Sequence, residues 1–410
     1  MPTLVDVLTS AEIVGYYNEI MQNEQEYPLA ALFPAAHIVG TEIAFIKGRG
    51  NQPVRPLKLS AYDAQAPLRD RIPGQIVKEE MPFFRESMRI SETLRKELNK
   101  LQNINNEYFN RYLEQVYKDD VTLIKAARAM IERMRVLLLT TGGIDIAGEG
   151  AVYTIDYGFN TSTQITNVTG ATQWKFAGNS DPYTVLKNAK KAANITSDAA
   201  AYMNSNTFAQ IAASEKLIKM IAARKTVTTA LTDQEIKEYI KTQLKITIVV
   251  LDEAYTGYTY VDDNGNTVPF FPDDVVSMAP MGVLGETVFG ETPEESDLLA
   301  NSTEYKGKVT ITDTGVAVVS KIDYGPPLQQ STIVSMACLP SCPAIDFLHV
   351  IRVNHGNTTQ SVTSLPTTGK FGINYTFSQN VIGTGTELAP QYAEGDVYVW
   401  DGETYEKVEA

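Results

Sequence analysis

EYFNRYLEQVYKDDVTLIKAARAMIERMRVLLLTTGG, residues 107–143, decides the fold. Tyr108, Tyr112, Val116, Leu123, Ala127, Met130 and Met134 fall near one stripe at helical spacing, the pattern of a helix that buries one face. Asn106 stands where an N-cap is wanted, Arg133 and Arg135 suit the negative end of the helix dipole, and Gly142 is placed to stop the helix. A helix over 107–140 at 1.5 Å per residue runs roughly 50 Å, about three times the ordinary length. Such a rod serves as the backbone of something flat or elongated.

Upstream, Ser10 to Met21 reads as a short helix, and YPLAALFP, with a proline at each end, reads as an arm anchored by a few apolar residues. Thr41 to Ile46 is a strand candidate that ends at the GRGN turn. Beyond the turn, Leu57, Leu59 and Ala61 alternate with Lys58, Ser60 and Tyr62, which predicts a returning strand with one apolar face. A two-stranded finger is marginal in water by itself, so its apolar face calls for a partner outside itself. Ser91 can cap a helix over SETLRKELNKLQ, and the Asn-rich NINN at 103–106 interrupts it before the long helix.

Downstream, IDIAGEGAVYTIDYG predicts a hairpin. Asp181 and Pro182 form an N-cap and first-turn pair for a helix, AAAYM predicts a strand, and Thr232 with Glu235 makes a capping box before IKEYIKTQL. KITIVVL, a hairpin turning at Asp263 to Gly265, and FFPDDVVSMAP continue the alternation, so an α/β unit is expected here. STIVSMACLP and IDFLHVIRV read as two returning strands, and DVYVWDGETYEKV as a hairpin in a small β-rich tail.

The chain has 410 residues and 43% hydrophobic content, enough for a substantial core. Its longest apolar runs, such as Val136 to Leu139, are far short of the ~20 residues of a membrane span, and no secretory signal is visible, so folding in a cytosol is expected. A net charge of −14 argues against a protein whose task is gripping nucleic acid. The charge is unevenly spread. Residues 1–46 contain no Lys or Arg, residues 47–100 hold twelve basic against seven acidic side chains, and ten carboxylates face one lysine between Val261 and Lys306.

Motifs for chemistry are missing. GVLGETVFG lacks the lysine and spacing of a phosphate loop and reads as a loop; no nucleophile elbow or His-Glu-x-x-His helix occurs. Cys338 and Cys342 in CLPSC read as buried reduced thiols around a proline turn. The carboxylate pairs Asp119–Asp120, Asp262–Asp263 and Asp273–Asp274 read as solvated positions rather than cation sites. No catalytic residue, cofactor or metal is assigned. The sharpest local charge pattern is Arg69 and Arg71 about Asp70, which is either a solvated turn or an ionic seam with a neighbouring copy.

This order of parts, an arm, an extended loop, a long helix, a hairpin, an α/β unit and a strand return, resembles the tailed-phage major capsid proteins of the lambda type, the capsid protein E family. The resemblance is carried by ALFP with TEIAFIKGRG, by YDAQAPLRDR, by the long helix ending in GG, by ITIVVLDEAYTGYTYVDDNGNTVPFFPDDVVSMAP, and by SMACLPSCPAIDFLHVIRV. It covers about residues 30–353, leaves residues 354–410 without a role, and lacks the family's long coiled-coil scaffolding segment ahead of the arm. It implies an α+β chain with the Hong Kong 97-like capsid fold. The expected division is an N-terminal arm (1–38), an extended loop (39–90), a peripheral domain (91–180) with its spine helix at 107–140, an apical domain (181–330), return strands (331–353) and a β-rich extension (354–410).

The function implied is that of a major capsid protein, assembling as pentamers and hexamers into an icosahedral shell around double-stranded DNA. Arg49, Arg55, Leu57, Lys58, Leu59, Arg69, Asp70 and Arg71 are the expected subunit-interface residues. Implied partners are further copies of the chain, a separate scaffold protein, a portal and a decoration protein; the DNA is enclosed without sequence-specific binding, and no membrane is involved. The implied location is the virion, after assembly in the host bacterial cytoplasm. Two alternatives stand beside this: an encapsulin-like compartment of the same fold, and a cytosolic enzyme with its site in the acidic region 252–304.

Overall fold

In the computed structural model the described residues are 9–22, 25–47, 75–90, 92–93, 96–97, 100, 106–148, 151–223, 231–262, 265–299, 309–312, 315–323, 329–355, 358–362, 373–377, 397–400 and 405–408. Helix α1 (Ser10–Met21) opens with a capping box in which the Thr9 side chain accepts from Glu12 N while Glu12 reaches back to Thr9 N. A short strand, β1 (Ala35–His37), follows the arm; then come β2 (Glu42–Lys47), β3 (Gln75–Glu80) and β4 (Phe83–Ile90). Strands β2 and β3 pair antiparallel from Glu42↔Glu80 to Lys47↔Gln75. The extended loop is therefore entered at β2 and left at β3; the return strand expected at 57–62 lies outside the described residues.

Helix α2 (Asn106–Thr141) runs 36 residues, starting one residue earlier than expected, so that Asn106 is its first residue rather than its cap. Its end is enforced by Gly142 at φ +73°, where a Cβ would sit 2.1 Å from the Phe159 ring. Below it lies the hairpin of β5 (Gly143–Gly148) and β6 (Ala151–Asp156). Next come β7 (Ile165–Asn167), α3 (Pro182–Ala192), β8 (Ala199–Met203), α4 (Ser205–Ala213), α5 (Glu215–Ala222), α6 (Asp233–Leu244) and β9 (Ile246–Val250). Asp181 accepts from Thr184 N at the start of α3, and the Thr232–Glu235 capping box forms at α6. The hairpin of β10 (Thr259–Val261) and β11 (Thr267–Pro269), then β12 (Val275–Pro280), β13 (Glu286–Gly290), α7 (Pro293–Leu299), β14 (Val309–Ile311), β15 (Ala317–Asp323), β16 (Gln329–Ser341) and β17 (His349–Arg352), complete the body. Strands β18 (Thr358–Val362), β19 (Ile373–Phe377), β20 (Val397–Trp400) and β21 (Tyr405–Val408) form a separate four-stranded sheet in the tail.

Two larger sheets organise the body. One has the order β7-β17-β12-β8-β9. Its strands alternate between two cores: Ala199, Ala201 and Met203 of β8 face the helices of the α/β unit, while Ala200 and Tyr202 face the core built around α2. All five residues of β8 are buried as a result. Ser277 on β12 donates to the carbonyl of Leu139 at 2.6 Å, fastening this shared wall to the end of the long helix.

The other sheet is built on the thirteen-residue β16. Along one edge β16 pairs with β4 over residues 330–337; along the other, β15 and β13 lie end to end, pairing with 329–335 and 337–341. At that junction Gly315, at φ +75°, lets the chain pass where a Cβ would meet His37 and Phe289 at 2.8 Å.

These pairings cross the boundaries drawn from the sequence. Strand β17, assigned there to the return strands of the peripheral part, pairs with β12 and β7 in the α/β sheet. Strands β13 to β15, assigned to the apical part, pair with β16 and one another. Local periodicity identifies strands, but partners this far apart in sequence leave no local signature. Two smaller expectations are also corrected: Glu286–Gly290 is strand rather than loop, and Pro340 lies in β16 rather than in a turn. Pro340 is tolerated because β4 ends its pairing at Ala337, leaving β16 a ladder on one edge only.

Cys338 and Cys342 are buried free thiols, each pushed up to about 12 by loss of water. Asp120 on α2 is buried at 3% exposure and accepts from Thr332 Oγ1 on β16 at 3.0 Å. Burial raises its carboxyl to about 6; the Thr332 bond opposes that shift and the charge of Asp119 adds to it. A folded value above the unfolded 3.8 means that the stability from this group is greatest below about pH 4 and is lost as pH rises through 6. Asp120→Asn should therefore raise stability by about 1–3 kcal/mol at pH 7.5 in urea unfolding, with the difference from wild type vanishing near pH 4.

Candidate assembly surface and the clamp beneath it

The arm is held to the long helix by one buried ionic cluster. Glu132 and Arg135, one turn apart on α2, form an ion pair at 3.2 Å and are 0% and 7% exposed. Glu132 Oε1 accepts from Leu29 N at 3.2 Å and from the Tyr258 hydroxyl at 2.6 Å. Arg135 donates to the carbonyl of Phe33 at 3.2 Å and to Thr287 Oγ1 at 3.0 and 3.1 Å, and Thr287 itself donates to the Phe33 carbonyl. Burial drives the Glu132 carboxyl upward; Arg135 is the largest influence pulling it back, followed by the Tyr258 and Leu29 bonds. Leu29 and Phe33 are fully buried alongside.

Around this clamp the arm, α2 and the β10–β11 hairpin meet in a cluster of rings. Tyr27 stacks on Tyr255 with centroids 5.0 Å apart and meets Phe270 edge-on at 5.4 Å. The sequence reading placed the arm correctly as anchored by apolar residues but missed the anchor's polar half. Its only sequence signal was a Glu and an Arg three residues apart on the face of α2 otherwise filled by Ile131, Met134 and Leu138.

The eight residues expected at the subunit interface, Arg49, Arg55, Leu57, Lys58, Leu59, Arg69, Asp70 and Arg71, all lie outside the described residues. The structure gives the ground from which that segment leaves. At its foot Met81 N donates to the Thr41 carbonyl at 2.8 Å, and the Tyr153 hydroxyl on the neighbouring hairpin donates to the Glu80 carbonyl at 2.8 Å. Apolar side chains surround the foot in the open: Val39 is 95% exposed, Val152 74% and Phe83 44%. Strand β4 is unusual for a strand in a sheet, because Phe83 and the whole run from Arg85 to Arg89 are exposed. It is anchored by Arg85, which pairs with the buried Glu294, itself an acceptor from Ser335 at 2.9 Å. An edge strand exposed along its length is a ready template for another chain.

Among the described residues of the acidic region 252–304, carboxylates are taken up by neighbouring donors. Asp252 accepts from Ser205 N at 2.8 Å, Asp273 from the Asn206 amide at 3.0 Å, Asp274 from Gln210 at 2.8 Å and Asn354 at 2.6 Å, and Glu294 is taken up by Arg85. Among the described residues no group of three His, Cys, Asp or Glu side chains could hold a metal ion, and no helix is long and apolar enough to cross a membrane.

The architecture is that of a phage capsid subunit. It is similar to the crystal structure of a prophage capsid protein from Escherichia coli CFT073, with a TM-score of 0.54 and 14% identity over 84% of this chain and 99% of that one. A phage-related protein from Bordetella bronchiseptica RB50 aligns over 84% of this chain and 97% of its own at a TM-score of 0.46 and 12% identity. No curated protein sequence matches. The family described as phage major capsid protein E matches residues 10–348, and the chain belongs to that family. Residues 349–410, with the four-stranded tail sheet, fall outside the match.

Arg135→Leu leaves the Glu132 carboxylate buried without its cation, so it should cost about 3–5 kcal/mol in urea unfolding at pH 7. Adding Glu132→Gln should recover part of that loss, and limited proteolysis should then cut the arm less readily than in the single variant.

Proposed function

We propose that copies of this chain assemble as pentamers and hexamers into the icosahedral head shell of a tailed bacteriophage, enclosing its double-stranded DNA. Membership of the major capsid protein family over residues 10–348 carries this reading. The exposed β4 and the apolar foot of the β2–β3 hairpin support it physically, since a lone subunit leaves this surface in water. Shell interfaces of the obligate kind remove over about 2,000 Å² from water, and at about 25 cal/mol/Å² that gross term dwarfs a surface ion pair worth roughly 0–1 kcal/mol. Apolar overlap then holds the shell and charge sets the register.

Within this reading Leu57 and Leu59 lie across the neighbouring copy, while Arg49, Arg55, Lys58 and the Arg69–Asp70–Arg71 cluster pair with its acidic surface. A separate scaffold protein, a portal and a decoration protein complete the head, assembly takes place in the host cytoplasm, and the enclosed DNA is not read by sequence.

Negative-stain microscopy of the purified full-length protein should reveal closed particles, whereas single chains at all concentrations would refute the proposal. Arg69→Glu with Arg71→Glu should lower particle yield at least several-fold while circular dichroism of the unassembled chain stays unchanged; undiminished yield would remove the ionic seam.

A further inference from the structure

His349, the first residue of β17, is a titratable side chain only 1% exposed. Its Nε2 lies 2.8 Å from Thr166 Oγ1 on β7, and its Nδ1 has no hydrogen-bond partner among the described residues. The neutral ring meets this by carrying its proton on Nε2 and donating it to Thr166, which leaves Nδ1 a bare acceptor. Strand β7 is the end strand of its sheet and runs parallel to β17. The chain around it lies along β17 as a strap: Gln164 donates to the carbonyls of Ile345 and Leu348 at 2.7 and 2.9 Å, Val168 N to that of Arg352 at 2.9 Å, and Trp174 N to that of Val353 at 3.2 Å. This strap carries the chain from the β5–β6 hairpin into the α/β unit.

Among the described residues, the elements packed against His349 bring its ring no counter-charge. Opposite it on β12 stands Met278, a member of the α/β core, so the ring faces that core. Helix α3, which packs on β17, turns Pro182, Leu186 and Ala189 inward and leaves Lys187 and Lys191 exposed. Strand β7 is uncharged, and so are residues 136–141 of α2 behind the sheet. Asp274, ahead of β12, accepts from Gln210 and Asn354; Asp346 is half-buried and acts on the Cys342 thiol; Arg352 alternates to the opposite face of β17. Burial is the one influence on the His349 ring, and it lowers the ring's basicity below the ordinary 6.5. A folded value below the unfolded one means that the stability from this group is whole above about pH 6.5 and is lost as pH falls beneath it, the reverse of Asp120.

We propose that His349 is an acid-released latch: neutral, it holds the strap 164–174 to β17 through Thr166; protonated, it lets the strap go. Protonation adds a second N–H at Nδ1, which meets no acceptor among the described residues, and places a positive charge in a core where no carboxylate faces it. Both costs vanish when β7 lifts and the ring reaches water. Strand β7 can lift because, among the described residues, it is paired along one edge only. The other strands of the sheet stay paired, so the crossing between the spine hairpin and the α/β unit loosens while the fold persists. The latch lies within one chain and stands whether or not copies close into a shell.

The test is hydrogen exchange on full-length protein kept unassembled, as checked by light scattering, at pH 7.5 and pH 5.0, corrected for the intrinsic pH dependence of exchange. Opening at the Val168 and Trp174 amides should rise several-fold on acidification, to at most about 30-fold for one proton taken up at an ordinary histidine value, while the amides of β8 keep their protection. His349→Gln, which can still donate to Thr166 and does not titrate, should abolish the rise, and Asp120→Asn should keep it. No rise at Val168 and Trp174, an equal loss of protection across the whole sheet, or a rise that persists in His349→Gln would each overturn the latch. Should His349→Gln misfold, the wild-type measurement decides by itself, and particle formation is scored separately.

Discussion

The subunit depends on the buried pair of Glu132 and Arg135. A charge pair in a dry interior is weak evidence of net stabilisation, because desolvation consumes most of what attraction returns. What this pair supplies is position. Glu132 Oε1 and the Arg135 Nε and Nη2 atoms reach the backbone of the arm at Leu29 and Phe33, the hydroxyl of Tyr258, and Thr287 on β13, three segments of which Phe33 and Thr287 lie 254 positions apart in the chain. The cluster ties the arm to α2 at two backbone points, Leu29 N and the Phe33 carbonyl, beside the apolar packing of the Leu29 and Phe33 side chains.

From that anchor the rest follows mechanically. With the arm pinned, β1 is laid parallel to β13, and the chain reaches the β2–β3 hairpin from a fixed point. Strand β16 then carries neighbours on both edges, but β4, its outer neighbour, has none on its far side among the described residues. The rigid centre and the unfinished edge are therefore consecutive parts of one structure.

Much of this was legible in the residues. The long helix, the hairpin below it, the Asp181–Pro182 start, the Thr232 capping box and the strands AAAYM and ITIVV are local patterns, each set by periodicity or by one cap, and the structure has them within a residue or two. What could not be read was partnership. Nothing in IDFLHVIRV says that His349–Arg352 pairs with Val275–Met278, while the neighbouring STIVSMACLP goes to a different sheet. The strand at Ala35–His37 was missed because three residues carry no period. The expected interface residues fall in 48–74, outside the described residues, and the exposed β4 was invisible because FFRESMRI looks like any half-buried strand until its partners are known.

Hydrogen exchange on unassembled and assembled full-length protein tests the central claim most directly, namely that a clamped centre carries an edge finished only by another copy. Amides of Leu29 to Phe33 and of α2 near Glu132 should be protected in both states, while those of β4 and the β2–β3 hairpin should exchange fast in the single chain and slow strongly on assembly. Protection of β4 in the isolated chain equal to that of the clamp, unchanged on assembly, would contradict it.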